Sequence, residues 1–335
     1  MSAHAARIAA HLTRRKSWSW PEIAFWLAAL ALIFVLPSRA ALINEILVSG
    51  LFALSLDLIL GLAGVVSLGH AAFYGVGAYT VGILANAGFK DPILLLPVAA
   101  ALAGLLGLIT APLLLRGTDL TRLMVTMGVA LMLGELANQN AWATGGADGL
   151  EIDIAPLFGR FSIGFTGQRT AALYSLVVLF ALFAFARRLR QSPFGLSIAA
   201  VRENRLRAGA LGITTQRRLV AVYALSAAYA GVAGALLAET TQIASLDLFE
   251  FHRSADVLLM LVIGGAGYLY GGIIGAALFI VLRDVISAAT PQYWEFWIGL
   301  LLVVLVLSGR DRLGALAMRV RRTVLPNMAR EGGAA

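Results

Sequence analysis

The chain has no cysteine, and of its 26 basic residues only Lys16 and Lys90 are lysines. Without cysteine there is neither a disulfide framework nor thiol chemistry. No GxxxxGK[ST] stretch occurs, so the chain carries no phosphate-binding loop of its own. HExxH, GxSxG and paired acids at helical spacing are missing too, which leaves an intramembrane enzyme without support. No catalytic residue, cofactor or metal is therefore assigned. Charge is scarce as well, at 13% of residues, and that excludes an ordinary soluble domain.

What the chain does have is hydrocarbon, 60% of its residues, in several segments longer than the roughly 20 apolar residues that span a bilayer. A net charge of +8 raises nucleic acid as a partner. The basic residues, however, sit in short segments between apolar runs, which is the pattern that orients membrane helices. Nucleic acid is excluded on that ground.

Residues 1–20 are polar and basic (Arg7, Arg14, Arg15, Lys16) and end in Trp18 and Trp20, as a tail does at a membrane interface. Ile23 to Leu36 is apolar but short, and Pro37-Ser38-Arg39-Ala40 follows. A signal peptide with a small-residue cleavage site competes there. A retained first span is the reading adopted, because the apolar sequence runs straight on. Residues 41–87 are too long for one crossing and must turn among Gly61, Gly64, Gly69, Gly75, Gly77 and Gly82. Spans are expected at Pro92 to Leu115 and Leu123 to Leu136, joined by the polar turn Arg116 to Arg122. A turn-rich loop, Asn138 to Arg169, precedes spans at Ala171 to Phe185 and Leu219 to Ala238. Ala255 to Ser287 is again too long for one helix and is broken at Gly264-Gly265-Ala266-Gly267 and Gly271-Gly272; Trp294 to Leu307 is the last span.

The expected fold class is thus an all-α integral membrane protein of about ten transmembrane helices, with glycine-broken helices in both halves. The charges test the count. With the N-terminus inside, twenty basic residues fall on the inner side and five (Arg39, Lys90, Arg160, Arg169, Arg253) on the outer. Both termini are then cytoplasmic. The expected organisation is a tail over 1–20, a membrane domain over 21–309 and a second tail over 310–335.

The longest polar interruption of the second half is residues 187–218, with eight arginines and a single acid, Glu203. Ser192 before Pro193 is a helix start, a hydroxyl cap followed by a ring that gives up only an unpaired N–H. Phe194, Ile198 and Val201 recur at helical spacing as an apolar stripe. Gly212 sits where a helix closes in the left-handed conformation. A basic loop lying on lipid headgroups is one reading. The other is docking to a partner protein, with Phe194 and Val201 buried in its groove and Glu203 paired with Arg207 at i+4 or with a basic residue of the partner.

Asp57 and Glu135 lie within or near spans, where a charge costs about 2.5–3.5 kcal/mol on insertion scales, so each is expected to face a cavity or a partner. Structural roles are the simpler reading for these scattered carboxylates. His70, beside the glycine-rich turn, reads as a helix-end hydrogen bonder. Interrupted helices at comparable places in two halves also point to a translocation path. Its candidates are Asp57, Gly61, Gly64, Ser67, Gly69, His70, Gly75, Gly77, Glu135, Gly264 and Gly265. If the segment Gly61 to Gly82 lines the path, a Cβ at Gly69 or Gly75 is expected to intrude where two backbones meet; the simpler alternative is that the glycines only let helices approach closely.

Four stretches, GLAGVVSLGHAAFYGVGAYTVGIL, LRGTDLTRLMVTMGVALMLGE, TGGADGL and SPFGLSIAAVRENRLRAGALGI, closely resemble the signature of branched-chain amino acid ABC transporter permeases. Their spacing is similar to that of the M-type permease subunit, over roughly residues 40–308. One departure is Gly209, where the family commonly has Glu or another helix former. The resemblance implies a permease of a bacterial inner-membrane importer, without enzymatic activity. Its partners would be a second, similar permease, two cytoplasmic ATPase subunits and a periplasmic binding protein. It further implies that Ser192 to Gly212 is the loop inserted into the ATPase. The rivals are an ion-driven secondary carrier working through Asp57 and Glu135, and a structural membrane scaffold.

Overall fold

The computed structural model describes residues 19–114, 119–164, 167–293, 296–300 and 303. In hydrocarbon a backbone polar group has no water to turn to, so an apolar chain crosses as helix. The first helices are α1 (Trp20–Val35), α2 (Ala40–Ala63), α3 (His70–Asn86), α4 (Pro92–Leu114), α5 (Asp119–Gln139) and the short α6 (Ala141–Thr144). After them come α7 (Gln168–Gln191), α8 (Pro193–Glu203), α9 (Arg205–Ala210), α10 (Thr215–Thr241), α11 (Phe251–Gly264) and α12 (Leu269–Ala289). Residues up to Ala276 form one compact unit. Those from Ala277 on form a second, of which residues 277–293, 296–300 and 303 are described.

Six described helices, α2, α4, α5, α7, α10 and α12, are long and apolar enough to cross a membrane. The helices α1, α3 and α11 have 16, 17 and 14 residues. At 1.5 Å per residue they span about 21–26 Å, less than the roughly 30 Å of a hydrocarbon core. Of the ten crossings expected, six thus have a helix of full length and three correspond to shorter ones. Most of the tenth, like the N-terminal tail to Trp18, the turn at 116–118 and the C-terminal tail, lies outside the described residues.

Helix α10 is the central element. It packs against α4, α3 and α2, and small residues let it do so backbone to backbone. A Cβ on Gly77 of α3 would overlap the Gly231 carbonyl of α10, and one on Gly234 would overlap the Tyr74 carbonyl of α3. The segment α8–α9 leads into the start of α10. At its other end β2 (Ile243–Ala244) pairs antiparallel with β1 (Leu150–Glu151), Leu150 opposite Ala244 and Glu151 opposite Ile243. The α8–α9 segment and this ladder are separated by the length of α10, 27 residues or about 40 Å. Beyond β2, Asp247 accepts from the Ser245 hydroxyl and from Arg253 at 2.6 Å. Burial alone would raise its pKa, but these two donors outweigh it and hold the carboxyl below its usual range.

Several helices outrun their expected bounds. Helix α5 begins at Asp119, so Arg122 is a buried helical residue and not part of a polar turn. Helix α7 continues through Arg187, Arg188 and Arg190, and Arg187 forms an ion pair with Glu22 of α1 at 2.9 Å. Arg217 and Arg218 belong to the first turn of α10. The long basic loop is therefore mostly helix, since arginine has high helix propensity and a C-terminal cation favours the helix dipole. Reporter fusions after Ala200 should be cytoplasmic and after Asp148 periplasmic, at the two ends of α10. A periplasmic signal at Ala200 would overturn this orientation.

Candidate functional site

The glycine-broken blocks lie some two hundred residues apart in sequence and touch each other in the fold. Helix α2 ends at Ala63, where Gly64 takes the left-handed conformation (φ 69°) and its N–H bonds the Leu60 carbonyl at 3.0 Å. The second break follows α11, with Gly265 and Gly267 at φ 104° and 87°. Asp57, in the last two turns of α2 and 2% exposed, accepts the Gly267 N–H at 2.6 Å. This is the partner that a carboxylate inside the apolar bundle requires. A Cβ on Gly61 would overlap the Asp57 carboxylate and come within 2.9 Å of the Gly267 nitrogen, so glycine there is a consequence of this contact.

The first break, residues 64–69, is held from three sides. The Leu68 N–H donates to the Thr126 hydroxyl of α5 at 3.2 Å. The Ala71 N–H, an orphan of the first turn of α3, donates to the Ser254 hydroxyl of α11 at 3.0 Å. His70 Nε2 lies 3.0 Å from Ser55 Oγ and 3.2 Å from Ser226 Oγ. Both hydroxyls donate elsewhere, Ser55 to the Phe52 carbonyl and Ser226 to the Ser55 carbonyl, so the hydrogen is assigned to Nε2. The ring stacks on Phe52 and meets the edge of Phe73. His70 is the helix-end hydrogen bonder its position suggested.

The candidates divide accordingly. Asp57, Gly61, Gly64, Gly264 and Gly265 belong to the joined breaks, and Ser67, Gly69 and His70 lie buried in the first. At Gly69 a Cβ would overlap the Thr126 carbonyl, so two backbones do meet there. At Gly75 the neighbour is the Phe249 ring at 2.6 Å, a side chain and not a backbone, which corrects the expectation for that position. Gly77 is the closer approach. Glu135 stands apart: it is exposed near the end of α5 and accepts from Gln139 at 2.6 Å. It lies toward the β1–β2 end of the bundle and Asp57 toward the α8 end, so the two carboxylates do not form one ion site.

The basic segment also differs from expectation. Ser192 caps α8, accepting the Gly195 N–H at 3.2 Å, and Gly212 takes φ 82°, both as read from sequence. Between them the helix breaks at Asn204, an extended residue whose side chain caps α9 by accepting the Arg207 N–H at 2.9 Å. Glu203 ends α8, so its i+4 geometry with Arg207 does not exist. The apolar stripe turns inward. Ile198 and Val201 are 0% exposed, because α8 lies on α2, α7 and α10 of its own chain. Phe194 is half-buried beneath the Arg218 guanidinium, 5.2 Å from the ring centre. The surface left open carries Leu196 at 63% exposure, with Leu206 at 88% on α9.

Sequence reasoning missed Arg202. Its guanidinium donates to the Gly61 carbonyl at 2.5 Å and passes over Gly64 and Gly267. It also missed Glu239, which falls just past the expected end of the Leu219 to Ala238 span but is fully buried in α10. Nearby, Tyr174 donates to the Pro92 carbonyl at 3.3 Å, and Asn44 links Ser175 and Thr240.

The glycine contacts give a direct test. Gly77→Ala should destabilise the purified protein by about 1–3 kcal/mol, the usual cost of overpacking. Gly128→Ala, with no atom within 4 Å of the new methyl, should be neutral. Equal melting of the two would refute the backbone contact between α3 and α10.

Comparison with known proteins accords with this geometry. The family described as branched-chain amino acid transport system / permease component matches residues 38–306. The high-affinity branched-chain amino acid transport system permease protein LivM of Escherichia coli K12 is 32% identical over 84% of this chain and 71% of its own. LivM of Salmonella typhimurium LT2 is 32% identical over 77% of this chain and 65% of its own. The permease protein LivH of Salmonella typhimurium LT2 is 23% identical over 77% of this chain and 87% of its own. No solved structure matches. The family match covers every described helix from α2 to α12, and the chain, a multi-pass membrane protein, belongs to the permease component family of branched-chain amino acid transport systems.

Proposed function

We propose that this chain is the permease subunit of an ATP-driven importer that carries branched-chain or other small amino acids across the bacterial inner membrane. It works with a second, similar permease, two cytoplasmic ATPase subunits and a periplasmic binding protein. The family membership and the likeness to both LivM and LivH support the pairing of two permeases. The observation that carries the ATPase contact is the α8–α9 segment. It is capped at both helix starts, braced on three helices of its own chain, and leaves Leu196 and Leu206 open among arginines. Two exposed leucines on a braced segment are what a docking element offers; a loop that only touched headgroups needs no such brace.

The contact therefore runs through the outer face of α8–α9. The stripe of Ile198 and Val201 anchors the helix to the permease. In pull-downs of the assembled complex, Leu196→Asp and Leu206→Asp should release the ATPase while the permease accumulates normally. Val201→Asp should instead lower the amount of folded permease, since it places a charge in a fully buried site. Retention of the ATPase by the double leucine variant would refute this docking face. The purified chain alone should not hydrolyse ATP, and hydrolysis above background would refute the division of labour.

A further inference from the structure

We propose that Arg202 is the positioning residue that couples movement of α8 to the two broken helices. The inference rests on the docking reading of α8–α9. Arg202 lies in the last turn of α8, the turn that Val201 anchors. Its Nη1 donates to the carbonyl of Gly61, one of the last four of α2, which have no partner within their own helix. A cation at that place also complements the negative end of the α2 dipole. The same nitrogen lies 3.4 Å from where a Cβ on Gly267 would stand, and the stem passes 3.0 Å from a Cβ position on Gly64. Gly267 is the residue whose N–H Asp57 accepts. One side chain of the docking helix thus meets the end of α2 and the turn between α11 and α12, at the point where those two are already joined.

The node is built to transmit. Gly61, Gly64 and Gly267 present backbone with no side chain between it and the guanidinium, so displacement of α8 bears on main chain. Both flanking glycines hold left-handed torsions, positions at which a helix end can change direction without a Cβ clash. Two other arginines of the segment make different contacts: Arg187 pairs with Glu22, and Arg218 lies on Phe194.

The experiment uses the full reconstituted complex in vesicles. This chain has no cysteine, so a spin label at Leu196→Cys or Tyr268→Cys is unique in it once the accessible cysteines of the other subunits are replaced. The Leu196 label should be immobilised when the ATPase assembles; if it is not, the docking reading fails and this inference with it. The Tyr268 label, beside Gly267, should change its line shape when ATP is added. Arg202→Ala should keep the ATPase bound and the Leu196 label immobilised, abolish the Tyr268 response, and slow uptake roughly tenfold while hydrolysis falls far less. Arg202→Lys, which keeps a cation within reach of the Gly61 carbonyl, should restore much of the response. If the Leu196 label is immobilised but Arg202→Ala responds at Tyr268 like the wild type, or uptake and hydrolysis fall in proportion, Arg202 does not couple the two. Should Arg202→Ala fail to assemble, Arg202→Gln against Arg202→Lys decides on the same readouts: equal responses overturn the inference.

Discussion

A helix that stops inside a membrane protein leaves backbone N–H and C=O groups that no water will satisfy, and each orphan there costs several kcal/mol. That constraint organises this chain. At the breaks between α2 and α3 and between α11 and α12, side chains from elsewhere arrive to complete the backbone. Thr126 takes the Leu68 N–H, Ser254 the Ala71 N–H, Asp57 the Gly267 N–H, and Arg202 supplies the Gly61 carbonyl. Each of these side chains comes from a different helix. The breaks are consequently junctions through which α2, α5, α8 and α11 are tied together.

The tying explains why glycine is placed where it is. At Gly61 a methyl would overlap the Asp57 carboxylate of the same helix, and at Gly69 and Gly77 a backbone carbonyl of a neighbouring helix. These positions need glycine for space, not for torsion. Gly64, Gly212, Gly265 and Gly267 need it for torsion. The two demands coincide at the breaks, where the chain must both turn and approach another backbone. A junction held by a few hydrogen bonds at a turn can re-form in a second arrangement, whereas a continuous packed helix cannot.

Much of this was legible in the sequence, for reasons that can be named. The apolar runs, the two overlong blocks and the Ser192-Pro193 start depend on local chemistry, and local chemistry is what a sequence displays. The direction of the Ile198–Val201 stripe was not legible, because an amphipathic helix outside the bilayer looks the same whether its apolar face meets its own chain or another. Arg202 was hidden for a similar reason. Among eight arginines in one segment, only the fold distinguishes the one whose reach ends on the Gly61 carbonyl. Glu239 was misplaced because a carboxylate ordinarily marks the end of a span, whereas α10 carries it, fully buried, within its last turn.

The inward stripe changes what the α8–α9 segment would have to do in the proposed docking. A helix buried by its partner alone would be loose before assembly and would lose entropy on binding. Here Ile198 and Val201 fix α8 on α2, α7 and α10 beforehand, so the segment is presented as a rigid lever with its leucines outward. Rigidity at the anchor and polarity at the tip then divide the work. Under the proposed docking, the apolar stripe would make a push on the exposed face move the whole helix, and the guanidinium at its end would hand that movement to backbone. A flexible loop with the same arginines would absorb the displacement within itself. The capping serine, the inward valine and the outward leucine are thus parts of one mechanical requirement, that α8 move as a body or not at all.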